Sequence, residues 1–116
     1  MRRARPDELK EDAVPALVLS VDPRRLRELF PVRFSRVESF AEPEPSKGAL
    51  IQLDSGSYAV VMYGTETRRA TISFPAAGDV PRALKALLRE TSIHRDEIDW
   101  IDESAIRALD ILERTA

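Results

Sequence analysis

The spacing of apolar residues changes several times along the chain, and each change predicts an element. Val14, Leu17, Val18, Leu19 and Val21 form a β-rich run, so a strand is expected over about 16–21, with Pro15 at its edge or entry point. Asp22-Pro23 then reads as a helix start. Asp can accept from the free N–H groups of a first turn, and Pro loses nothing at the first helical position. Leu26, Leu29 and Phe30 follow at helical spacing, and Pro31 ends the run. Val32–Phe40 alternates at Val32 and Phe34 and then slips to Val37 and Phe40, which suggests a bulge or a strand end.

Residues 42–48 combine Pro, charge and Gly and are expected to form an exposed loop. A meander follows, with strands at 49–53, 58–63 and 69–74. Its turns are expected at Asp54-Ser55-Gly56-Ser57 and at Gly64-Thr65-Glu66-Thr67. The 58–63 strand is almost wholly apolar and reads as a central strand covered on both faces. In 69–74, Ala70, Ile72 and Phe74 alternate with Arg69, Thr71 and Ser73, which predicts one wet face. Asp79 caps a helix whose apolar face carries Val80, Leu84, Leu87 and Leu88 and whose end falls near 91–92.

The last quarter admits two readings. Ile98, Ile101, Ala105, Leu109 and Leu112 have helical spacing, which allows a helix over about 94–114. The alternative, which we favour, is a short strand at 98–101 followed by a helix capped near Asp102, because the acids of this stretch suit a strand edge and a helix start. The sum is an α+β domain: an antiparallel sheet of about five strands, built on the 49–74 meander, with two or three helices packed mainly on one face. The length fits one domain, read as 13–116, preceded by a polar segment 1–12 that is either flexible or a short helical turn after Pro6.

Composition removes several chemistries. With 116 residues and no Cys, the chain has no disulfide, thiolate metal site or Cys nucleophile. Basic charge is carried by 15 Arg and 3 Lys, there are 14 Ala, and Asn is absent, which reads as a GC-rich, bacterial codon pool. No apolar stretch approaches the roughly 20 residues that span a bilayer, and no signal peptide pattern precedes the fold, so the expected setting is cytoplasmic and without a membrane. The net charge of −2 sums unlike regions: residues 1–36 hold nine basic and six acidic residues, and residues 37–116 hold nine and fourteen.

No catalytic signature emerges. His94, the single His, lies in a polar connector and matches no triad order. Asp54-Ser55-Gly56-Ser57 lacks the Gly-x-Ser-x-Gly pattern of a nucleophile elbow and reads as a hairpin turn. The four Gly build no phosphate loop. Asp96, Glu97, Asp99, Asp102 and Glu103 form an acidic stretch without the spacing of an EF-hand, so no metal and no cofactor are expected. A basic surface at Arg24, Arg25, Arg68 and Arg69 lacks both a global basic field and stacking aromatics, which disfavours nucleic acid as partner.

What remains is a composition of interfaces. Asp96, Asp99, Asp102 and Glu103 surround Trp100, and an aromatic ringed by charge suits a protein-binding patch. The competing reading makes Trp100 a core anchor with the acids facing water. The chain is therefore expected to be a non-catalytic interaction module that binds another protein as a regulator, adaptor or toxin-neutralising partner. One alternative is a homodimer or larger homo-oligomer. Another is a small-ligand-binding protein or enzyme, which a deep pocket lined by Tyr58, Tyr63 and Arg residues would favour.

Overall fold

The structure, a computed structural model, describes residues 1–37 and 46–103. Its strands are β1 (Arg2–Arg3), β2 (Ala13–Ser20), β3 (Ser35–Val37), β4 (Ser46–Gln52), β5 (Tyr58–Gly64), β6 (Arg69–Pro75) and β7 (Ile98–Ile101). They form one antiparallel sheet in the order β1-β4-β5-β6-β2-β7, with β3 pairing beside β1 on the outer edge of β4. The class is the expected α+β, but the sheet has seven strands rather than about five. The surplus lies at the edge: β1 has two residues and β3 three, too few to display an alternating pattern.

Register explains the core. Leu17 and Leu19 lie beside Ile72 and Ala70, and these beside Val61 and Tyr63. Ala49 and Ile51 continue the same face through Val61 and Ala59. All of these are buried. Against them pack α1 (Pro23–Leu29) through Leu26 and Leu29, and α2 (Val80–Glu90) through Ala83, Leu84, Leu87 and Leu88, in one hydrophobic cluster. The intervening positions Val18, Leu50, Val60 and Met62 are half-buried on the second face. The strand 58–63 is thus central, but its two faces are unequal: Ala59, Val61 and Tyr63 are sealed under the helices, while Val60 and Met62 keep part of their surface. A continuous apolar run does not distinguish a sealed second face from a half-covered one.

Both helix starts follow their sequence signals. The Asp22 carboxylate accepts from the Arg25 N–H at 2.8 Å, and Asp79 accepts from the Arg82 N–H at 3.2 Å. Each helix carries Pro in its first two positions. Tyr63, in the core, donates its hydroxyl to the Val21 carbonyl at 2.9 Å, so the buried phenol is satisfied.

Several boundaries move. β2 begins at Ala13 and includes Pro15, because a register shift between Pro15 and Leu17 absorbs the missing donor. Ser46, Lys47 and Gly48, expected in a loop, belong to β4, since they pair with β3 on one side and β5 on the other. Gly64 closes β5 rather than opening a turn, and the left-handed residue of that connection is Arg68, at φ 56°. Residues 6–8 form a 3-10 turn, and Arg2–Arg3 pair with β4, a contact that their polar sequence did not signal. The remainder of the strand expected up to Phe40 and the helix expected after Asp102 fall on residues outside those described.

Candidate functional site

The stretch 98–101 is a strand, β7, pairing with the outer side of β2. Its register is irregular. Trp100 lies opposite Val18 and Ile98 opposite Leu19, which leaves Asp99 as an extra, bulged residue. The bulge turns both Ile98 and Ile101 toward the core while Asp99 and Trp100, neighbours in sequence, are both exposed. Trp100 keeps 46% of its surface accessible, so it is not a core anchor. Among the described residues β7 pairs with β2 alone, and its other edge presents unpaired backbone groups.

The acids around Trp100 are not equivalent. Asp96 and Glu103 are exposed. Asp99 pairs with Arg69 at 3.2 Å across the end of β2. Asp102 is half-buried, and its backbone N–H donates to the Ala16 carbonyl at 2.9 Å, holding the chain beside β2 as β7 ends. Glu97 faces inward to Arg25, which donates to it through Nε at 2.7 Å and Nη2 at 3.0 Å. The Arg25 guanidinium holds the Glu97 carboxyl below its ordinary range. No group of three or more acidic or imidazole side chains converges in a metal-binding arrangement among the described residues.

The four arginines singled out from the sequence separate in space and role. Arg25 clamps α1 to the 3-10 turn 95–97, also donating to the Ser92 carbonyl at 2.6 Å and to Glu28 at 3.2 Å. Arg24 reaches Glu28 at 3.7 Å. Arg69 balances Asp99, and Arg68 occupies the β5–β6 connection. His94 is exposed and precedes the 3-10 turn, where its N–H donates to Glu97 at 2.9 Å. Ser55 and Ser57 flank Gly56, whose φ of 96° closes the β4–β5 turn.

Tyr58 and Tyr63, named from the sequence as lining one deep pocket with Arg residues, fall in two separate cavities, whose other residues come from far apart in the chain. One, of about 360 Å³, lies between the β4–β5 turn and α2 and carries Glu11, Tyr58, Asp79 and Arg82. A second, of about 270 Å³, lies where α1 meets the far end of β4 and β5 and carries Arg27, Arg33, Lys47 and Tyr63. A third, also about 360 Å³, gathers the Met1 amine with Asp54 and Glu90, already joined by ion pairs. No described helix is long and apolar enough to cross a membrane. The chain matches no protein-family model, no curated protein and no solved structure.

Proposed function

We propose that this chain is a non-catalytic protein-interaction module and that its partner docks on the β7 edge. The observation that carries this reading is Trp100, 46% accessible on an edge strand beside Asp96, Asp99 and Glu103. A large aromatic left in water favours burial against a partner, and Trp is among the residues that dominate interface energies. The edge, unpaired among the described residues, offers main-chain hydrogen bonds as a second source of affinity, and the acids favour a partner with basic residues. A regulator, an adaptor or a toxin-neutralising protein fits this arrangement, and the cytoplasm is the setting we propose for it.

The test compares affinity capture by the wild type and by Trp100→Ala/Asp99→Lys from the native host. The reading expects a protein that the wild type retains and the folded double variant loses. An identical set of captured proteins overturns it. Sedimentation of the pure chain separates the homodimer, in which a second copy occupies the same edge: a dimer dissociated by the double variant transfers the surface from a foreign partner to self-association.

A further inference from the structure

We propose that the cavity beside α1 is a binding site for a small aromatic carboxylate. The inference is independent of partner docking at β7, which uses other residues. The floor is apolar: Leu26 and Tyr63 are buried in it, and Val32 and Phe34 are half-buried. The rim is cationic, with Arg27, Arg33 and Lys47 all exposed over that floor. Among the described residues, none of the three has an ion pair and no acid lines the cavity.

The backbone places these groups deliberately. Arg27 follows Leu26 on α1, and Pro31 ends the helix region so that Val32-Arg33-Phe34 runs on beside it. Lys47 stands opposite Tyr63 in the β4–β5 register, on the helix-covered face. Three positive charges near one apolar floor repel each other, and a bound anion relieves that repulsion. Arginine presents a fork that matches a carboxylate with two parallel hydrogen bonds.

Size narrows the body of the ligand. A cavity of roughly 150 Å³ holds benzene. About 270 Å³ therefore accommodates one aromatic ring with its carboxylate and little more. The site offers binding rather than chemistry. Tyr63 is buried beneath the floor with its hydroxyl engaged by Val21, and burial raises its phenol above the ordinary range, so it backs the apolar floor and supplies no proton. The larger cavity by α2 lacks this match, because Glu11 and Asp79 oppose Arg82 there.

The test is a titration of the full, uniformly 15N-labelled chain with benzoate, followed by amide shifts. For a ligand of this size a dissociation constant of about 0.1–1 mM is expected. Shifts should cluster at 26–27, 32–34, 47 and 63–65. Benzamide, the neutral isostere, and acetate, which lacks the ring, should each bind at least about tenfold more weakly. Arg33→Gln/Lys47→Gln, at two exposed positions, should keep a native spectrum and weaken benzoate by about tenfold or more, and added salt should weaken the wild type. The proposal is overturned by the absence of saturation at about 10 mM benzoate, by shifts scattered over the surface, by benzamide binding as well as benzoate, or by an unaltered double variant.

Discussion

Arg25 and Glu97 lie 72 residues apart and meet through two parallel hydrogen bonds, of 2.7 and 3.0 Å. Their side chains retain only 22% and 17% of their accessibility, so the pair is largely shielded from water. It ties the first helix to the turn that leads into β7, the strand that carries Trp100. Arg25→Ala strands the Glu97 carboxylate and removes the donor from Ser92 and Glu28. The expected cost is about 1–3 kcal/mol, or roughly 4–12 °C in Tm. A double-mutant cycle with Glu97→Gln should return a coupling of at least about 0.5 kcal/mol, and additivity would remove the clamp from the account.

Acid should weaken the fold through the same kind of pairing. The Glu8 carboxylate accepts from the Arg2 guanidinium at 2.7 Å and from the Arg5 N–H at 2.6 Å. These contacts bring its pKa from 4.5 to about 2, and Arg25 lowers Glu97 in the same direction. A carboxyl depressed on folding stabilises the native state above its unfolded value and loses that contribution as pH falls to its folded value. For Glu8 the window runs from about 4.5 down to about 2. Denaturant melts across this range should show wild-type stability falling with acid and Glu8→Gln falling less steeply. Equal slopes would contradict the assignment.

Arg68 is the one non-glycine residue at positive φ among those described, at 56°. An L side chain is strained there, and glycine is not. Arg68→Gly should be neutral to stabilising, by up to about 1 kcal/mol, although glycine ordinarily destabilises a chain by its flexibility. A loss above roughly 1 kcal/mol in urea melts would show that the Arg side chain holds the turn.

Core and surface hydrophobic side chains should respond differently. Leu84, on the core-facing side of α2, is fully buried, and Leu84→Ala should cost about 2–5 kcal/mol. Trp100, nearly half accessible, should cost less than about 2 kcal/mol on truncation to Ala, despite its greater size. As the only Trp, it should also emit as a water-exposed indole in the free protein. A blue-shifted emission would place it in an apolar environment instead.

These contrasts follow what the sequence makes visible. The capped helices are legible because Asp22-Pro23 and Asp79 act locally, within a few residues of the groups they satisfy. β6 is legible because a strand with one sealed face must alternate, although its second face is half-buried at Thr71 and Ser73 rather than wet. β7 is harder for a physical reason. Its bulge at Asp99 puts Ile98 and Ile101 on the same side at a separation of three, which mimics a helix. The register shift at Pro15 likewise conceals the first three residues of β2. Arg25 reads as surface charge because nothing local announces a partner 72 residues away. The cationic cavity is illegible for the same reason, since Arg27, Arg33 and Lys47 converge only through the β4–β5 register and the end of α1.

The most direct measurement is the dissociation constant of the captured partner for the wild type and for Trp100→Ala/Asp99→Lys, with far-UV circular dichroism confirming that both are folded. Docking on the β7 edge should bring a loss of about 30-fold or more, the scale of a central aromatic anchor. Equal affinities in two folded proteins would contradict it and move the interface away from β7.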